Sequence, residues 1–227
     1  MRPYPFLVAA LCVATACSHD STSPSSPSSP GNTTSTNGLN IAIDSTFTNK
    51  TAVVATSVQA LVHVTLAGKP AAGVVVGWIL PAGDGKISST SSTTDTSGVA
   101  TTTWTIGDTA RVYNLTATIT GAAVTLAVTG TADSPATLSK VSPDTLAVAA
   151  GASTLVTVRA ADHIGNPVAG VVVSWTTTGG ALTTSTTTTG ASGRGEVVFS
   201  TDPTPRSYTI SATAPGLGTV TFVVLGQ

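Results

Sequence analysis

The sequence predicts an all-β protein made of two tandem copies of one sandwich, and three observations predict it. Threonine fills 44 of the 227 positions, and its branched Cβ suits a pleated strand better than a helix. Apolar and polar residues alternate in short runs bounded by Gly and Pro, and nowhere does a 3.6-residue apolar period run far enough for a helix. A long motif also returns: Gly68-Lys-Pro-Ala-Ala-Gly-Val-Val-Val-Gly-Trp78 recurs as Gly165-Asn-Pro-Val-Ala-Gly-Val-Val-Val-Ser-Trp175, at an offset of 97 residues.

Composition narrows the function classes before any motif is read. Hydrophobic residues make up 41% of the chain and charged residues only 8%, enough apolar side chain to build a core but about a third of the usual charge. A net charge of −1 provides no basic field to gather phosphates, so no nucleic-acid partner is expected. One Glu and three His leave few acids, bases or ligands, so neither a catalytic residue nor a cofactor is expected.

The chain opens with Arg2 and an apolar run from Phe6 to Ala14. A positive start, a short apolar stretch and small residues at its end form an export signal, here 1–16, and the run is too short to span a bilayer. It closes on Ala14-Thr15-Ala16-Cys17, which resembles the lipobox of bacterial lipoproteins. That resemblance implies cleavage before Cys17 and acylation of Cys17, hence a membrane partner through an N-terminal lipid anchor. Ala14 stands where that family most often has Leu. The other reading is an ordinary secretory signal cut after Ala16. Ser18, directly after the cysteine, implies by the same resemblance sorting to the outer membrane. A mature chain beginning at Cys17 has no second thiol, because Cys12 leaves with the signal, so no intradomain disulfide is expected.

Residues 17–38 read as a tether. Ser23-Pro-Ser-Ser-Pro-Ser-Ser-Pro30 lies at their centre, and such a composition cannot bury a core; its length spans about 25 Å as a coil.

The first copy is expected over 39–132 and the second over 136–227. Each is close to the length of an immunoglobulin-like sandwich. In the first, Val74, Val76 and Trp78 share one face, Thr102 and Trp104 point inward on a later strand, and Tyr113, Leu115 and Ala117 form the next inward row. In the second, the corresponding sets are Val171, Val173 and Trp175, then Val197 and Phe199, then Tyr208, Ile210 and Ala212. Turns fall at Gly68-Lys-Pro70, Gly83-Asp-Gly85, Gly165-Asn-Pro167 and Gly179-Gly180, where Gly admits positive φ and Pro holds its predecessor extended. The linker between the copies, Thr131-Ala-Asp-Ser-Pro-Ala136, is short, which predicts nearly collinear units with limited bending.

Asp162-His-Ile-Gly-Asn-Pro-Val-Ala-Gly-Val-Val-Val-Ser-Trp175, Thr189-Gly-Ala-Ser-Gly193 and Tyr208-Thr-Ile-Ser-Ala212 together resemble the bacterial immunoglobulin-like domains of group 1, the repeats of invasin and intimin stalks. The first copy is looser, lacking the Asp and running about three residues shorter before Gly68. The resemblance implies Greek-key sandwiches strung end to end and displayed outside the cell, often as adhesin stalks.

Several residues invite a sharper reading. Trp78, Trp104 and Trp175 have the chemistry of a sugar-stacking platform, but their register assigns them to the core. Tyr113 and Tyr208 resemble tyrosine-corner residues, whose hydroxyl satisfies a backbone group. Asp162, His163 and Asn166 offer oxygen ligands near a domain boundary, yet one carboxylate is poor for a Ca²⁺ ion wanting six to eight oxygens, and Asx-turn chemistry accounts for Asp and Asn there, so no metal is expected. His63 has no His or Cys beside it for zinc. Arg194-Gly-Glu196 reads as a turn entering a strand. Gly83-Asp-Gly-Lys86 lacks the spacing of a phosphate loop, and Gly190-Ala-Ser-Gly193 is not a nucleophile elbow.

The function expected is therefore non-enzymatic: a lipid-anchored stalk or adhesin-like module of the bacterial envelope, facing an envelope protein, a host surface or a polysaccharide. The alternative is a polysaccharide- or peptide-binding module using end loops or an edge strand, and an enzyme accessory domain ranks last.

Overall fold

Ser57–Leu66 shows how this chain makes a sandwich. Val58, Ala60, Val62 and Val64 are buried while the residues between them are exposed or half-buried, the period-two pattern that turns one face of a strand to a core. A computed structural model describes residues 32–227, and in it the pattern repeats from strand to strand.

The first sandwich comprises β1 (Asn32–Thr34), β2 (Leu39–Ile43), β3 (Thr51–Val53), β4 (Ser57–Leu66), β5 (Lys69–Pro70), β6 (Val75–Ile79), β7 (Lys86–Ile87), β8 (Ser91–Thr93), β9 (Val99–Thr105), β10 (Val112–Ile119) and β11 (Ala122–Thr131). One sheet runs β1-β2-β4-β9-β7 with β5 paired to β4; the other runs β3-β11-β10-β6-β8. The second sandwich comprises β12 (Thr137–Lys140), β13 (Thr145–Val148), β14 (Ser153–Ala161), β15 (Val172–Thr177), β16 (Ala181–Leu182), β17 (Thr186–Thr188), β18 (Arg194–Ser200), β19 (Ser207–Ala214) and β20 (Gly218–Gly226). Its sheets run β12-β14-β18-β16 and β13-β20-β19-β15-β17. In each sandwich the chain enters through one sheet and then crosses to the other, where it pairs parallel with the last strand, β3 with β11 and β13 with β20. This crossing binds the start of each sandwich to its end.

Each sandwich has its own core. Trp78, Trp104, Tyr113, Leu115 and Leu126 lie in one, and Trp175, Phe199, Tyr208, Ile210 and Phe222 in the other. Every inward residue expected from the alternation is buried or packed against these cores, with Val74 and Val171 only partly covered. Thr102 is buried too, its hydroxyl donating to the Ser89 C=O at 3.2 Å.

Two features depart from the sequence reading. Residues 17–38 were expected as tether, yet β1 lies within them and pairs antiparallel with β2, and the Thr33 hydroxyl donates to the Ala123 C=O at 2.7 Å. The outer edge of β2 offers unpaired N–H and C=O groups, and the β-branched Thr33 and Thr34 suit the strand that takes them. Asp44 also caps a single 3₁₀ turn, Ser45–Phe47, accepting the Thr46 N–H at 2.9 Å and letting Phe47 reach the core. No periodicity marks a turn of three residues. The export signal and Cys17 lie outside the described residues.

Candidate functional site: aromatic anchors and the junction between the sandwiches

The three indoles are interior groups. Trp78, Trp104 and Trp175 are 3%, 0% and 2% exposed, and each ring N–H has a partner: the Ser92 hydroxyl at 2.9 Å, the Asp84 C=O at 2.8 Å and the Thr187 hydroxyl at 2.8 Å. A buried indole with its N–H satisfied fills a core and presents no face for a sugar. The tyrosines behave as the corner resemblance implies. The Tyr113 hydroxyl accepts the Thr109 N–H at 2.9 Å and donates to the C=O of the same residue, while the Tyr208 hydroxyl accepts the Asp202 N–H at 2.8 Å.

Sequence reasoning read Gly83-Asp-Gly-Lys86 only as a turn and so missed Asp84. Its carboxylate is buried, paired with the Arg111 guanidinium at 2.7 Å and accepting the Asn114 N–H at 2.7 Å. Arg111 also lies over the Tyr113 ring at 4.3 Å. The second sandwich keeps the stack, Arg206 over Tyr208 at 4.9 Å, but there the guanidinium pairs with the Asp202 carboxylate at 3.5 Å, and the N–H of Thr209 goes instead to the Thr178 hydroxyl at 3.0 Å. The signal available was the Arg two residues before each corner Tyr. A cation held there calls for an acceptor close by.

Asp162 and Asn166 lie together where the sandwiches meet. One Asp162 oxygen accepts the N–H groups of Ile164, Gly165 and Asn166 at 3.0, 2.8 and 2.8 Å; the other accepts the Asn166 side-chain N–H at 3.0 Å and the Asp133 N–H at 3.2 Å. The Asx turn expected from sequence is present, but Asp162 additionally ties down the connector through Asp133. His163 points away, exposed, 4.0 Å from the Asp133 carboxylate. Both Asp162 oxygens face N–H groups, which is the environment of a loop anchor rather than of a cation ligand.

Burial raises the Asp162 pKa, but the hydrogen bonds from Asn166, Asp133 and Ile164 more than offset it and hold the carboxyl at about 2, against an ordinary 3.8. A carboxyl with a lowered folded-state pKa stabilises the fold while ionised, so this contribution is fully present above about pH 4 and is lost as the pH falls toward about 2. The Tm difference between the parent chain and Asp162→Asn is expected to be largest near neutral pH and to shrink across that window. A difference that stays constant down to the acid limit contradicts this assignment.

The remaining candidates are structural. His63 lies on β4 and its Nε2 meets the Asp44 carboxylate at 2.7 Å; hydrogen bonds from the Thr46 hydroxyl and from His63 hold Asp44 at about 2. Arg194 opens β18, so Arg194-Gly-Glu196 lies within the strand rather than in the turn before it. Among the described residues no group of three or more His, Cys, Asp or Glu is placed to hold a metal.

The repeated Trp, the corner Tyr and the Asp162 loop coincide with one family. Residues 136–223 match the bacterial Ig-like domain (group 1). The second sandwich is thus similar to such a domain, and the first shares its strand order. Among solved structures, the chain is similar to FdeC, an Escherichia coli adhesin, at 22% identity over 82% of this chain and 65% of that one, with a TM-score of 0.58. It is also similar to the D0-D1 domain of intimin, at 25% identity over 78% of this chain and 94% of that one, TM-score 0.35. Invasin, a bacterial integrin-binding protein, is 24% identical over 83% of this chain and 39% of that one, TM-score 0.39. No curated protein matches the chain.

Proposed function

We propose that this protein is a non-enzymatic module of the bacterial envelope, anchored by lipid on Cys17 and holding two Ig-like sandwiches away from the membrane as a short adhesin-like stalk. The observation that carries this reading is the match of 136–223 to the group 1 Ig-like domain, beside the likeness of the chain to the adhesin FdeC. The use of all three indoles as core packing agrees with it. Threonine on the outward faces keeps the sheets wettable with little charge. The partner class is an envelope protein, a host surface or a polysaccharide, and the outer membrane is the compartment that Ser18 favours.

The test begins at the anchor. The parent chain is expected in the membrane fraction and Cys17→Ser in the soluble fraction. In the released protein, acrylamide should quench tryptophan fluorescence weakly. Retention of Cys17→Ser on membranes overturns the lipid anchor, and strong quenching overturns the stalk in favour of a sugar-binding face.

A further inference from the structure

The side-chain amide of Asn166 belongs to the second sandwich, but two of its three partners belong to the first. It donates to the Asp108 C=O at 2.8 Å and accepts the Ala110 N–H at 2.8 Å, both in the loop between β9 and β10. Its other N–H goes to Asp162, which also holds the Asp133 N–H of the connector. These contacts fix the amide's orientation, because a flipped amide would set N–H against N–H and oxygen against oxygen. Asn166 is 7% exposed, so pulling the sandwiches apart leaves polar groups on both sides to find new partners. One hydrogen bond leaves a hinge free to rotate. Two bonds to one rigid amide, with a third on the connector, fix three separate points of the junction.

The same residues are missing at the two outer ends of the pair. The first sandwich carries Lys69 where the second carries Asn166, exposed on the two-residue strand β5 and without a counterpart of Asp162. Counting back from Tyr113 and Tyr208, the positions of Asp108 and Ala110 are held in the second sandwich by Pro203 and Pro205. Proline has no N–H to offer an incoming amide.

We propose that Asn166 is a latch locking the two sandwiches into one rigid body, and that this latch is closed at both ends, with no donor amide at the Asn166 position of the first sandwich and no receiving N–H at the Ala110 position of the second. This joint is thus particular to the pair and could not be repeated through the same residues at its outer ends. This holds whether or not the chain is lipid-anchored.

Pulsed electron paramagnetic resonance on the full-length chain tests it. Cys12→Ser and Cys17→Ser remove the native thiols, and Thr103→Cys and Thr221→Cys place one spin label on an exposed strand position of each sandwich. The parent chain is expected to give a single narrow distance distribution. Asn166→Leu should broaden it about twofold or more, since two domains without a specific contact reorient freely. Ala110→Pro removes the receiving N–H without touching the second sandwich, and Pro205 stands at the corresponding position there, so it should broaden the distribution as Asn166→Leu does. Lys69→Asn, lacking a partner, should leave it unchanged. Circular dichroism melts confirm that both sandwiches stay folded in each variant. A broad distribution in the parent chain, or an unchanged width in either Asn166→Leu or Ala110→Pro with the fold intact, overturns the latch.

Discussion

Trp175→Ala is expected to lower the stability of the second sandwich by about 3–5 kcal/mol, the usual cost of truncating a buried aromatic to alanine. Trp175 is 2% exposed and stands between the two sheets of its sandwich. Its removal leaves a cavity in the core it shares with Ala212, its register partner on β19, and with Val197 and Phe199 on the opposite sheet, and it strips the Thr187 hydroxyl of the indole N–H it accepts at 2.8 Å. Against a domain stability of about 5–15 kcal/mol, that loss brings the sandwich near its folding threshold. The first sandwich has a separate core, so urea unfolding followed by circular dichroism should show an early transition for the second and a nearly unmoved one for the first. Equal displacement of both would show that the two cores fold as one.

A single methyl group added at Gly193 is expected to cost nearly as much. Gly193 has φ +72, and a Cβ there would overlap the Ala160 C=O and press on Pro167. The left-handed conformation alone costs about 1–2 kcal/mol for a non-glycine residue, and displacing the backbone of β14 adds about 1–3 kcal/mol more. Gly98 repeats the geometry in the first sandwich, with φ +72 and the Val64 C=O in the same place. Gly193→Ala and Gly98→Ala should therefore lower the denaturation midpoint of their own sandwich by similar amounts. A neutral effect at either position would mean that the tight turn entering β9 or β18 is more compliant than its hydrogen bonds suggest.

The repeat and the alternation of strand residues were legible because both are local properties of the chain. Val173 and Trp175 share a face in any extended strand, and the two-residue side-chain period does not depend on what the strand packs against. Gly83-Asp-Gly85 and Gly179-Gly180 likewise marked turns in advance, and Gly83, Gly85 and Gly180 do take positive φ. The corner role of Tyr113 and Tyr208 came by resemblance, since their partners at Thr109 and Asp202 lie only four and six residues away.

Longer-range features were not legible. Asp84 is followed by Gly and Lys in a sequence that reads as a bare turn, and its partners Arg111 and Asn114 lie some thirty residues on. The strand β1 has a composition that does not distinguish a linker from an edge strand, and what decides is the open edge of β2 beside it. Asp162 and Asn166 were both read as Asx-turn residues; Asp162 makes that turn, while the Asn166 side chain does not. Its engagement with Asp108 and Ala110 spans more than fifty residues of sequence.

By itself the sequence determined that this protein is two copies of a cysteine-free, threonine-rich β-sandwich, and which side chains face inward, because strand periodicity and glycine turns are set by neighbours along the chain. Only the tertiary structure decided where the buried polar groups find partners: Asp84 on Arg111, and Asn166 across the junction. Hydrogen bonds join groups that are close in space whatever their separation in sequence, and a single buried amide or carboxylate leaves no periodic trace to read.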